Sequence, residues 1–201
     1  MELWQYEKQA MDAGYTAVCG CDEAGAGPLA GPVYAAAVIL PFGVEIPGLN
    51  DSKKLTEKKR EALFPVIQET ALAWAVACVD AGEIDETDIL SARMKAMQLA
   101  IDALPGGVDF ALIDGNRDKG KTAAIQTAHR CLIKGDSLSA SISAASILAK
   151  VSRDRWMLEM AKEFPQYKFE QHKGYGTKLH YEMLREYGPS PIHRLTFLKN
   201  L

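Results

Sequence analysis

Four carboxylates stand where apolar runs of the chain end. Asp22 and Glu23 are adjacent after "YTAVCGC", just ahead of the turn "AGAGPLAGP". Asp114 closes "VDFALID" and Asp136 closes "AHRCLIKGD". Acids at strand ends along one sheet edge are close in space though distant in sequence. Burying them costs free energy unless they are paired or bound to a cation, and together they raise one another's pKa. Hard oxygen ligands suit Mg²⁺ or Mn²⁺. Two such ions side by side activate a water and stabilise a leaving oxygen in phosphodiester cleavage. Taken singly, Asp114 in "DG" and Asp136 in "GDS" equally fit turn formers or helix caps. The acids alone therefore allow a metal site without fixing a reaction.

A sheet is needed to gather them. "YTAVCGC", "PVYAAAVIL", "ALAWAVACVD", "VDFALIDG" and "AHRCLIKGD" read as five strands, the first two joined as a hairpin by the Gly/Pro turn. Helices are expected over 1–14, ended by Gly14, over 56–70, begun by Thr56, and over 81–104, 137–164 and 177–187. The front half of the 137–164 helix is almost all Ser, Ala, Ile and Leu, so a neighbour packs very close to it. Residues 41–55 and 165–176 read as loops, and 188–201 as a Pro-broken tail. Strands alternating with helices after a leading hairpin imply an α/β fold with a mixed sheet. The acids Asp80, Glu83, Asp85, Glu86 and Asp88 read as a solvated face with carboxylates near helix N-termini.

At 201 residues the chain fits one domain, 1–201, with residues about 160–201 forming a C-terminal helical and loop extension. Hydrophobic residues make up 48 % and charged residues 24 %, a globular balance. No signal peptide or membrane-spanning run is visible, which makes a cytoplasmic protein with no membrane partner the expectation. Cys19, Cys21, Cys78 and Cys131 read as packed, reduced thiols. The net charge of −3 argues against bulk binding of nucleic acid. Its distribution says otherwise. Residues 150–201 carry ten Lys and Arg against six Asp and Glu, while the remainder carries thirteen against twenty. A basic quarter beside an acidic body permits a local phosphate-binding face.

"DEAGAGPLAGPVYAAAVIL", "NDSKKLT", "LIDGN", "KGDSLSASISAASILAKVSRD", "HKGYGT" and "GPSPIHRLTF" resemble, in order, the signature blocks of bacterial type 2 ribonuclease H (ribonuclease HII) over residues 22–197. The resemblance implies an RNase H-like fold, a mixed five-stranded sheet flanked by helices with a helical C-terminal part. It implies cleavage of the RNA strand of RNA–DNA hybrids and incision 5′ of single ribonucleotides embedded in duplex DNA. The products would carry 3′-hydroxyl and 5′-phosphate ends, and the role would be removal of ribonucleotides from DNA. By analogy Asp22, Glu23, Asp114 and Asp136 are both the catalytic residues and the ligands of Mg²⁺ or Mn²⁺ in a two-metal mechanism. A monomer is expected. The last block ends four residues before the C-terminus, so no appended tail for docking to a replication clamp is expected.

Telling RNA from DNA rests on the 2′-hydroxyl. Gly25, Ala26 and Gly27 lie beside the acids, where a glycine turn lets backbone groups approach a sugar. Tyr175 matches the family position that stacks on the neighbouring nucleotide, and a buried structural tyrosine is the alternative. Asn50, Ser52 and Lys53 have the character of phosphate contacts, and Lys150, Arg153 and Lys173 are candidates for the same face. Asp154 reads as an ion-pair partner of a nearby base. Among His129, His172, His180 and His193 none is assigned as a general base; His172 is a candidate for ordering the "KGYG" loop. The family usually carries Gly-Arg-Gly where this chain has Gly25-Ala26-Gly27, so a guanidinium contact to phosphate is missing at this position.

Overall fold

The computed structural model describes residues 2–116 and 125–199. All five expected strands form: β1 (Val18–Ala24), β2 (Val33–Ile39), β3 (Ala73–Val79), β4 (Phe110–Asp114) and β5 (His129–Leu132). They make one mixed sheet of order β3-β2-β1-β4-β5. The hairpin is real: β1 and β2 are antiparallel, as are β2 and β3, while β1–β4 and β4–β5 run parallel. Parallel pairing brings the C-terminal ends of β1, β4 and β5 to one edge, and the acids with them.

Helix α1 (Gln5–Asp12) precedes the sheet, and α2 (Glu57–Thr70) starts at Thr56, whose hydroxyl accepts from Lys59 N–H. The single helix expected over 81–104 is two. Asp80 caps α3 (Ala81–Glu86), the chain breaks helical geometry at Thr87, and Asp88 caps α4 (Ile89–Asp102) by accepting from Leu90 and Ser91 N–H groups. The acids read as helix N-terminal charge are thus partly caps. The long helix α5 (Ala140–Glu163) is capped by Ser139. The expected 165–176 loop contains a 3₁₀ turn, Pro165–Tyr167, and a short helix α6 (Phe169–His172). Helix α7 (Lys178–Tyr187) follows. Leu29, Met157, Tyr167, Phe169 and Leu184 give this C-terminal part its own apolar cluster. No helix among the described residues is long and apolar enough to cross a membrane.

Strand periodicity sorts β1 onto two faces. Cys19 and Cys21 point toward α4 and its Met94, Met97 and Ile101. None of the four cysteines forms a disulfide among the described residues, and Cys78 is exposed rather than packed. Gly20 points the other way, toward α5. A Cβ on Gly20 would lie 2.2 Å from Ile142 N and 2.2 Å from Ser141 C. Helix backbone sits directly on the strand, which accounts for the Ser/Ala run that opens α5. Gly20→Ala is therefore expected to cost about 3 kcal/mol by overpacking. Thermal unfolding would show this as a melting temperature roughly 6–12 °C lower.

Candidate active site

Asp22 on β1, Asp114 at the end of β4 and Asp136 in the 3₁₀ turn Gly135–Ser137 after β5 each place a carboxylate oxygen within 4.8 Å of the others. Local geometry sets each side chain. Asp22 accepts from the Glu23 N–H at 2.7 Å, and Asp114 accepts from the Gly135 N–H at 2.7 Å. A Cβ at Gly135 would meet Ile142 Cδ1 at 2.7 Å and Asp114 Oδ1 at 3.2 Å, so any larger residue in the turn that delivers Asp136 would press on Ile142 and on the Asp114 carboxylate. Lys134, just before it, holds φ 57°, the left-handed region that side chains usually avoid.

Burial, then the charges of Glu23 and Asp114, pushes the Asp22 carboxyl well above its ordinary range. Asp136 is raised by burial, Asp114 and Asp51. Glu23 is adjacent to Asp22 and so faces the other side of the strand. There Arg93 of α4 donates to Glu23 Oε1 at 2.6 Å. Burial still raises the Glu23 carboxyl against that guanidinium, and Glu23 Oε2 is buried without a hydrogen-bond partner. The four acids thus come together as three plus one, with Glu23 held aside by a base that sequence reasoning did not single out.

An open groove of about 590 Å³ runs past the carboxylates, lined among others by Lys53, Lys54, Arg93, Lys134, Asp114 and Asp136. Lys53 Nζ is 3.7 Å from Asp136. Burial disfavours its ammonium, yet Asp22, Asp136, Asp51 and Asp114 raise its pKa overall. Asn50 and Ser52 do not line the groove. Asn50 is exposed and its Oδ1 accepts from Asp51 N–H. Ser52 is buried and donates its N–H to Ser146 Oγ, so it anchors the turn to α5 instead of facing phosphate. Lys54 and Lys134 line the groove and were missed, because an exposed lysine carries no pattern that marks it.

The glycine turn is built on two arginines. Arg153 and Arg194 are both 0 % exposed. Arg153 donates to the carbonyls of Ala30, Pro32 and Lys173. Arg194 donates to those of Gly25, Ala26 and Gly31. Gly25 has φ 95°, and a Cβ on it would lie 2.1 Å from Arg153 Nε. Arg153 is accordingly no phosphate contact; its guanidinium lies beneath the turn. Burial disfavours both charges, and the carbonyls replace the water each guanidinium loses. Asp154 is an ion-pair partner as read, 2.7 Å from Lys150 and 3.9 Å from Arg60. Lys173 Nζ donates to the Glu170 carbonyl. Ala26 is half-buried and Gly27 exposed, with open space around the position a Gly27 Cβ would take.

Tyr175 is not the buried structural alternative. It is 42 % exposed, with Lys150 Nζ 5.5 Å and Arg153 Cζ 5.7 Å from its ring centroid. His172 orders the loop before it: Nδ1 accepts from Gly174 N–H at 3.2 Å while Nε2 lies 2.9 Å from the Tyr167 carbonyl.

A mixed five-stranded sheet with carboxylates converging at the C-terminal edge of β1, β4 and β5 defines an RNase H-like hydrolase. The chain belongs to the ribonuclease HII family, whose sequence profile matches residues 19–200. It is a ribonuclease H, an enzyme of RNA–DNA hybrids, and ribonucleotide excision is the known role of its family. It is 53 % identical over 195 residues to the ribonuclease HII of Endomicrobium trichonymphae, covering 97 % of this chain and 91 % of that one. The crystal structure of ribonuclease H2 from Pyrococcus horikoshii OT3 superposes with a TM-score of 0.75 at 27 % identity, covering 90 % of this chain and 93 % of the other. The fold is shared with Bst-RNase HIII solved in complex with Mn²⁺, at a TM-score of 0.66 and 22 % identity over 89 % of this chain and 65 % of that one.

Proposed function

We propose that Asp22, Glu23, Asp114 and Asp136 hold divalent cations, Mg²⁺ or Mn²⁺, and that the enzyme cuts on the 5′ side of a ribonucleotide to leave 3′-hydroxyl and 5′-phosphate ends. The approach of Asp22, Asp114 and Asp136 within 4.8 Å carries this reading. Repelling carboxylates at one buried edge are hard to account for without a cation, and the unpartnered Glu23 Oε2 adds a free oxygen of the right hardness. When bound, the cations supply an activated water and charge compensation at the leaving 3′ oxygen. The chain's own residues do the rest. Lys53, Lys54 and Lys134 line the groove as point charges for substrate phosphates. The 25–27 turn presents backbone groups to the ribose 2′-hydroxyl, and Tyr175 stacks on the neighbouring nucleotide.

The test is a DNA duplex carrying one ribonucleotide, incubated with the protein and Mg²⁺ or Mn²⁺. Incision 5′ of the ribonucleotide is expected, and not in an all-DNA duplex. Absence of cutting with either ion would overturn the proposal.

Ala26 adds a second expectation. Its carbonyl is held by Arg194, so the backbone contact survives without an arginine side chain, while a phosphate contact is lost. A charge-assisted hydrogen bond contributes about 1.5–3 kcal/mol. Ala26→Arg should therefore tighten binding of a DNA–RNA–DNA junction by about tenfold or more, measured without divalent metal so that nothing is cut. Unchanged affinity would show that the groove already supplies this contact.

A further inference from the structure

Three histidines that take no part in the chemistry above are buried together. His180 and His193 place their Nε2 atoms 2.9 Å apart, a contact that requires one proton between two nitrogens. The outer nitrogens say where it resides. His193 Nδ1 lies 2.9 Å from the Ser190 N–H, which can only donate, so Nδ1 accepts and the His193 proton sits on Nε2. His180 Nε2 then accepts, and its own proton sits on Nδ1, 2.9 Å from the Tyr175 carbonyl, which can only accept. The chain of bonds runs one way, from Ser190 N–H through His193 and His180 to Tyr175. The Ser190 hydroxyl, 2.8 Å from His193 Nδ1, reinforces its first step. His172 stacks on His180 with ring centroids 4.4 Å apart. Burial holds His180 and His193 neutral, each lowered to about 4.

Both ends of this chain reach the elements that face substrate. One end is the backbone of Tyr175. At the other, His193 pairs with Ala30 in an isolated bridge and is followed by Arg194, which grips the Gly25, Ala26 and Gly31 carbonyls. Leu29 N–H donates to the Gly174 carbonyl, and Arg194 N–H to that of Leu29. The turn and the Tyr175 loop are thereby fastened into one unit.

We propose that the Ser190–His193–His180 relay is a positioning device that fixes Tyr175 relative to the glycine turn and so sets how strictly a ribonucleotide is recognised. His180 and His193 are positioning residues that act through Tyr175. The proposal rests on the reading of Tyr175 as the stacking residue, and a double-mutant cycle separates the two. Misplacement of a positioning group by an ångström costs about 10²-fold in rate, so Tyr175→Ala and His193→Leu should each lower kcat/KM on a single-ribonucleotide duplex by roughly 10- to 100-fold. The double variant should be no worse than Tyr175→Ala alone, since coupled residues do not add. His193→Gln, whose amide offers one acceptor and one donor, should recover most of the loss. Nitrogen NMR should find His180 as the Nδ1–H tautomer and His193 as the Nε2–H tautomer. If Tyr175→Ala leaves kcat/KM unchanged, the stacking reading falls and the proposal with it. If Tyr175→Ala is impaired but His193→Leu is not, or the two losses multiply, the relay proposal alone is overturned. Should His193→Leu not fold, His193→Gln and the tautomers still decide, the opposite tautomers being fatal to the relay.

Discussion

Asp22→Asn is expected to lose about three orders of magnitude of cleavage rate and, without metal, to melt at a higher temperature than the unmodified protein. The first effect follows from the proposed role of Asp22, whose oxygen would hold cations worth several kcal/mol to the transition state, at 1.36 kcal/mol per factor of ten. The second follows from the geometry of the edge. Asp22 is buried, and Glu23 and Asp114 press its carboxyl upward. A group whose folded pKa is raised contributes stability that is fully present below its unfolded pKa, near 3.9, and is lost as pH rises through the folded value. At pH above that folded value the metal-free protein therefore carries the cost of a charge that Asn does not have. Leaving a buried polar group uncompensated costs about 1–3 kcal/mol, more for a charge, or roughly 3–10 °C at this length. The advantage of the variant should vanish at low pH, where Asp22 is protonated.

Metal reverses the order. A cation present at 100 times its dissociation constant stabilises the folded state by about 2.7 kcal/mol. Mg²⁺ or Mn²⁺ should raise the melting temperature of the unmodified protein by about 5–10 °C, and chelation should return it. Asp22→Asn should show little of this shift. Scanning calorimetry at alkaline and acidic pH, with and without metal, measures all of these quantities. If Asp22→Asn melts lower than the unmodified protein at alkaline pH without metal, the carboxylates are not in mutual strain.

The sheet was readable because its signal is local. β2 and β3 are runs of mostly small or β-branched residues of the right length. β1 and β4 are largely apolar runs and β5 a short one, each closed or soon followed by an acid and a glycine. The acids were readable for the same reason, since a carboxylate at the end of such a run is out of keeping with its surroundings. Their separation into three plus one was not read, although alternation along β1 implies it: Asp22 shares a face with Gly20, and Glu23 with Cys21. Arg93, which holds Glu23, sits in "ARMKAM" as one charge among helical neighbours. The break at Thr87 was masked by continuous helical character on both sides, yet Asp80 and Asp88 each carried a capping signature. Arg153 and Arg194 were the least readable. An arginine counts as a surface charge by default, and these two find their partners in backbone carbonyls, which have no sequence identity at all. His172 was readable as a loop-ordering residue, but the His180–His193 pair was not, because its tautomers are fixed by the backbone groups of Ser190 and Tyr175, which carry no sequence identity.

Arg194 carries the second large expectation. Its guanidinium donates to three carbonyls, those of Gly25, Ala26 and Gly31, from a fully buried position. Arg194→Leu fills much of the volume but leaves those acceptors without their donor, at about 1–3 kcal/mol each. A loss of roughly 3–6 kcal/mol would take a large part of a stability that is typically 5–15 kcal/mol, and the melting temperature should fall by about 10–20 °C. Arg194→Lys separates charge from shape. It keeps the positive charge, but a compact ammonium lacks the planar fork of donors that a guanidinium presents. If the fork matters, Lys should recover only a minor share of the stability. Cleavage below the melting temperature should fall in both variants, because the carbonyls released belong to the turn beside Asp22 and Glu23. The loss should also be larger on a single ribonucleotide than on a long RNA–DNA hybrid, where several ribonucleotides offer alternative registers to a loosened turn. Equal losses on the two substrates would place the role of Arg194 in folding alone, and a Lys variant as stable as the unmodified protein would reduce it to its charge.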